Sequence, residues 1–160
     1  MIIKMTKGEL LRFYEGLISV GGLKGSKFAY AVAKNSFTIN DEIEALRKAI
    51  EPAENFVKFD KERVLIAEKY AVKNDKGQAE TYMDSNKKAQ FFIQDKEEFE
   101  KAIDELKEKH KEAIKEREVQ VSIFDEMLKE EISFDIIQIA EKELPADITP
   151  NQLVEILIML

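Results

Sequence analysis

Ile43, Leu46, Ile50, Ala53, Val57, Asp60, Val64, Ala67 and Ala71 follow one another in steps of three and four residues. Phe99, Ile103, Leu106, His110, Ala113, Arg117, Val121, Phe124 and Leu128 do the same further along the chain. Steps of this size put side chains on one face of a helix. Set antiparallel so that facing residue numbers sum to about 170, the two series fall into register layer by layer. The spacing predicts a long antiparallel helical hairpin of coiled-coil type, about 50 Å from end to end at the helical rise.

The seams run from Asp41 to about Lys73 and from Asp95 to about Glu130. Pro52 interrupts the first, and because the apolar phase continues across it, a kink or short break is expected there. Between the seams, Asn74–Gly77 reads as a turn. Residues 78–83 and 88–94 flank Asp84–Lys87 as a small β-hairpin at the tip.

Outside the seams the punctuation is local. Thr6 and Glu9 have capping-box spacing, opening a helix from about Lys7 to Val20 that Gly21-Gly22 stops. A short helix over Lys27–Lys34 follows, then a turn over Asn35–Asn40. Ser133–Ala140 is apolar and β-branched, a strand or an extended core segment. Thr149, Pro150 and Gln152 make a helix start leading into a last helix over 150–160. The fold class expected is mainly α, one domain over 1–160. Its stalk is 41–130 with the tip at 74–94, and its head consists of short N- and C-terminal helices in 1–40 and 131–160.

The chain of 160 residues carries a net charge of −7, which disfavours contact with a phosphate backbone, so no direct nucleic-acid binding is expected. The charge is uneven. Residues 1–40 hold six Lys/Arg against Glu9 and Glu15, a net of +4, leaving −11 to the remainder. A basic head on an acidic stalk follows from this count. There is no cysteine, so disulfides and thiol chemistry are excluded. The N-terminus lacks a signal-peptide apolar core, and Leu153–Leu160 is far shorter than a membrane span, so no membrane contact is expected.

Several residues invite a chemical reading. His110, the only histidine, falls on the seam opposite Asp60, and the pair suits a polar layer that fixes register. A catalytic dyad would need a nucleophile and a pocket that a seam does not offer. Arg117, opposite Ala53, is expected to cross the seam and reach water. Lys24, Lys27 and Lys34 form a basic patch around Gly25-Ser26, at a helix start that can hold an anion, although the order of residues is not that of a phosphate-binding loop. Phe13, Tyr14, Phe28, Tyr30 and Phe37 are an aromatic cluster whose commoner use is core packing. The last segment is apolar in nearly every helical direction. Leu153, Ile156, Leu157, Met159 and Leu160 therefore either wedge deep in the fold or form half of an intermolecular contact, the reading preferred here, with Tyr82 and Phe91 as a second candidate interface at the tip. The acids show no spacing that singles out a metal set. No cofactor, metal or enzymatic activity is expected.

Thr6–Leu10, Leu23–Asn35, Glu42–Leu46 and Leu144–Leu153 resemble an uncharacterised family of small phage and prophage proteins. The resemblance carries over no site residues. It implies a viral origin and a life in the host bacterial cytoplasm or in the virion. Together with the fold, it suggests a non-enzymatic protein that binds protein in or near virion or tail assembly, with self-association as a further expectation. The alternative is a phage-encoded inhibitor of a host defence protein, its acidic surface blocking a basic nucleic-acid groove.

Overall fold

A computed structural model describes residues 1–160 and is mainly helical, with two small antiparallel sheets of two strands each. In chain order the elements are β1 (Ile2–Thr6), α1 (Lys7–Val20), α2 (Ser26–Ile50), α3 (Glu54–Lys69), β2 (Thr81–Met83), β3 (Ala89–Phe91), α4 (Lys96–Lys109), α5 (Lys111–Met127), β4 (Glu131–Asp135) and α6 (Pro150–Glu155). A final 3-10 turn covers Leu157–Met159. The chain divides into two compact units, Met1–Glu51 with Val121–Leu160, and Pro52–Gln120. The sequence reading set these boundaries at 40 and 131.

The first unit begins with a strand that the sequence reading did not anticipate. β1 pairs antiparallel with β4, Ile3 facing Phe134 and Met5 facing Ile132. Alternation along β1 buries Ile3 and Met5 and leaves Ile2 and Lys4 outside. Thr6 then caps α1. Its hydroxyl accepts the Glu9 N–H at 3.1 Å, and the Glu9 carboxylate accepts the Thr6 N–H at 2.7 Å. α1 buries Leu10, Phe13, Leu17 and Val20 in one stripe. It ends at Gly21 in ordinary right-handed geometry, φ −59°, so the left-handed glycine stop expected at Gly21-Gly22 is not used. Positive φ falls instead on Gly25, at +135°, where the chain turns into α2.

α2 is one helix of 25 residues, not a short helix, a turn and a new start. The turn expected over Asn35–Asn40 is absent for a physical reason. Ile39, Ile43 and Leu46 continue the buried stripe begun by Phe28, Ala31 and Val32, so packing holds the segment helical against its polar residues. Asn35 is 1% exposed and caps nothing. Its amide donates to the Ile137 carbonyl at 2.9 Å and accepts the Ile137 N–H at 2.8 Å. This tie fixes the extended chain after β4, so that Ile136 and Ile139 enter the core. The short break expected at Pro52 in the segment from Asp41 to Lys73 is present at Glu51–Ala53, and it divides that segment between α2 and α3. Glu51, preceding Pro52, takes ψ 124°, outside the helical range.

α6 starts at a second capping box, Thr149 with Gln152, and has Pro150 in its first turn. It gives way after Glu155, and Ile156 and Met159 are fully buried. α6 lies close against α1 at Gly16, where an added Cβ would stand 2.8 Å from the Glu155 Cβ and 2.9 Å from its carbonyl oxygen.

In the second unit α3 packs antiparallel on α4 and the start of α5. Asn55 hydrogen-bonds Glu116 at 2.9 Å, the Phe59 ring lies 5.7 Å from His110, and Tyr70 meets Phe99 edge-on at 6.3 Å. Those numbers sum to about 170. The second helix is interrupted at His110, between α4 and α5. Phe59, Leu106 and Ala113 are its buried helical positions, a thin seam. β2 and β3 form the hairpin expected between them, and its turn is held by Asp84, whose carboxylate accepts the N–H groups of Asn86 and Lys88. Asn74 holds the preceding turn in the same way, with Gly77 at φ +75°.

Asn35→Ala is expected to lower stability by about 2–4 kcal/mol, since both backbone groups of Ile137 lose their partner. Gly16→Ala is expected to cost about 1–3 kcal/mol by forcing α6 from α1, although alanine is the better helix former. Urea unfolding followed by circular dichroism checks both.

Candidate interaction surfaces

The basic head expected from the sequence is not basic once folded. Residues 121–160, with nine acids and two lysines, belong to the same unit as residues 1–40. The first unit therefore holds fifteen acids against ten Lys/Arg, and Pro52–Gln120 holds seventeen against fifteen. The acidic excess lies in the first unit, and the helical hairpin is close to neutral. Three of the N-terminal lysines are matched to carboxylates. Lys4 pairs with Glu131, Lys7 sits 2.8 Å from Glu130 and 3.3 Å from Glu42, and Lys27 pairs with Glu143. The hydrogen bond to Glu130 holds the Lys7 ammonium above its ordinary pKa. Lys27 holds the Glu143 carboxyl below the usual range.

This arrangement bears on the basic patch of Lys24, Lys27 and Lys34. Lys27 is committed to Glu143, Lys34 lies 6.0 Å from the Phe37 ring centre, and Lys24 is exposed on the loop before α2. The three do not converge on one point that the structure marks as an anion site.

The C-terminal segment read as one interface is divided in two by the fold. Ile156 and Met159 face the core, and the Met159 carbonyl accepts the Ile139 N–H at 2.8 Å. Leu153 and Leu160 are half-buried. Leu157 is 59% exposed, and Val154, which the sequence reading passed over, is 72% exposed. Both line a groove of about 600 Å³ between β1, α1 and this segment, with Met5, Phe13 and Ile158 as its other apolar walls and Arg12 at its rim. The helical spacing in 153–160 signalled surplus apolar character, but which residues stay outside depends on the change to a 3-10 turn at Leu157, which has no sequence mark.

At the hairpin, Tyr82 is exposed and packs against Phe92 with ring centres 4.8 Å apart and planes tilted by 43°, while Phe91 is half-buried. The aromatic cluster also separates. Phe13 and Phe28 are core, Tyr14 carries the Arg47 guanidinium at 5.2 Å, and Tyr30 and Phe37 point to solvent.

The polar layer forms with a different acid. His110 Nε2 lies 3.3 Å from Glu62 Oε2, and the same oxygen accepts Lys109 Nζ at 2.8 Å. Asp60, the partner expected, binds Arg63 on its own helix at 2.8 and 3.0 Å. Asp60 is in phase with the seam, but its short side chain is claimed by the guanidinium one turn on, whereas the longer Glu62 reaches across from the flank. Arg117 lies over the Phe56 ring at 5.7 Å and hydrogen-bonds Gln120.

Lys109 first, and His110 second, hold the Glu62 carboxyl below the usual range. A carboxyl with a lowered native pKa stabilises the fold above its unfolded pKa and loses that contribution as pH falls through the native one. Glu62→Gln is therefore expected to flatten the fall in thermal midpoint between about pH 5 and pH 3 relative to the parent chain, with little change in its slope at neutral pH. Paired melting curves across that range check it.

No helix is long and apolar enough to cross a membrane. In comparison with known proteins, the chain matches no family model, no curated protein and no solved structure.

Proposed function

We propose that this chain is a non-enzymatic phage protein that acts by binding protein, in or near virion or tail assembly. The observation that carries the reading is the apolar wall of the groove in the first unit, where Val154 and Leu157 stand more than half exposed on a well-packed base. A large apolar side chain held in the open by a rigid support is a common feature of contact surfaces. The support here is firm, since Ile156 and Met159 anchor the same segment from the other side. The viral setting rests on the sequence resemblance alone. In this reading the antiparallel pair of α3 with α4 and α5 acts as a coiled-coil spacer that carries the β2–β3 hairpin.

The partner expected is a phage structural protein. A tagged chain expressed during infection should be recovered with particles or assembly intermediates. The double variant Val154→Asp, Leu157→Asp should reduce that recovery about tenfold or more with an unchanged thermal midpoint. Truncation at Thr149 is unsuitable, because it removes Ile156 and Met159 from the core. Recovery with a host protein instead, in a complex that weakens steeply as salt rises, would select the inhibitor reading, with the acidic excess of residues 121–160 as the contact.

A further inference from the structure

α2 has a second face. Its buried stripe accounts for Val32, Ile39 and Leu46. At about 100° per residue, Tyr30, Phe37 and Glu44 lie along one line on the opposite side of the helix. Tyr30 is 60% exposed and Phe37, at 78%, is the most exposed large apolar side chain of the chain. A surface helix normally turns charge to solvent on the side away from its core, so two aromatic rings there need a separate cause.

The charges flanking the rings indicate what covers them. Taking Phe37 as the centre, Lys34 stands three residues before it and Asp41 four after it, on the same side of the helix and both exposed. Seven residues before it stands the Tyr30 hydroxyl, a donor, and seven after it the half-exposed Glu44 carboxylate, an acceptor that Arg47 of the same helix engages through one oxygen at 2.7 Å. Ala33, small and exposed, adjoins both rings. Opposite partners at matching distances on either side of a central apolar residue are what a two-fold axis requires, because each copy then offers the other the same patch reversed.

We propose that α2 is a self-association surface on which two copies of this chain pack antiparallel about an axis at Phe37. Ring meets ring at the centre. Lys34 of each copy faces Asp41 of the other, and Tyr30 faces Glu44. The ends of the patch are quiet. Lys27 is already paired with Glu143, and Lys48 falls opposite Ser26. The patch from Tyr30 to Glu44 spans about 20 Å of helix, so the dimer is one that dilution dissociates. A basic or acidic partner of another kind would match only one half of this face.

This inference rests on the reading of the chain as a protein-binding protein, and a different surface tests it. Light scattering and sedimentation of the full chain over a wide concentration range should show a mass rising from that of the monomer toward twice that value. Phe37→Ser, at an exposed position, should raise the dissociation constant about tenfold or more without moving the thermal midpoint. Lys34→Glu and Asp41→Lys should each do the same, by setting like charges against each other. Mixed in equal amounts, the Lys34→Glu chain and the Asp41→Lys chain should recover the dimer as a mixed pair, since both cross-contacts are then between opposite charges. The double variant carrying both exchanges should recover it alone. A monomer at every concentration overturns the proposal, as does a dimer indifferent to Phe37→Ser and to the charge exchanges. A monomer that is still recovered with particles through Val154 and Leu157 sinks this inference and leaves the assembly reading standing; a dimer formed through α2 in a chain recovered with no particle does the reverse.

Discussion

Two hydrogen bonds between the Asn35 side chain and the backbone of Ile137 are the constraint on which most of the first unit depends. A buried amide must be matched on both its donor and its acceptor side, and one residue of extended backbone supplies a partner to each. With Asn35 so occupied, α2 runs through a segment whose Asn, Ser and Thr residues otherwise favour a turn. With Ile137 so held, Ile136 and Ile139 turn inward. The Ile139 N–H then takes the Met159 carbonyl, which places the final turn, and the final turn places α6 on the glycine of α1. A single polar residue in an apolar stripe thus sets the path of the last twenty-odd residues, at the expense of leaving no substitute for it.

Charge follows the same closure. The acids of residues 121–160 return to the lysines of the N-terminal segment, three of which find carboxylates there. Most of these pairs are exposed, so water and salt screen them and each adds little to stability. Their larger effect is on the field around the unit, which is acidic where linear composition suggests it is basic.

Features governed by neighbouring residues were legible in the sequence. Both capping boxes, the Asp84 turn and the Asn74 turn depend on groups within four residues of each other, and all form as their spacing predicts. The facing of Tyr70 with Phe99 follows from periodicity summed over many turns. What depended on distant partners was not legible. β1 is five residues long and is a strand because β4, more than a hundred residues away, pairs with it. The helical state of 35–40 rests on the buried stripe through Ile39 and Ile43 and on the distant partner that Asn35 finds in Ile137. Glu62 displaces Asp60 at His110 because of side-chain reach and a competing arginine, neither of which the seam period encodes. The site residues divide in the same way: the apolar excess of 153–160 was visible, but its partition into core and rim needed the 3-10 turn. Tyr30 and Phe37 were noticed as aromatics and assigned to the core, although their phase against Phe28 and Val32 already pointed them outward.

The order of the two units along the chain has a consequence for synthesis. Pro52–Gln120 is continuous, and all its partners are present once its last residue leaves the ribosome. The other unit is discontinuous, and Met1–Glu51 must wait for Val121–Leu160. During translation the inserted segment can therefore fold before the other unit is complete. Until then the apolar faces of α1 and α2, with Leu10, Leu17, Phe28 and Ile39, have no β4 or α6 to cover them. The nascent chain is most open to misassociation in that interval, which ends only when Val121–Leu160 has been made.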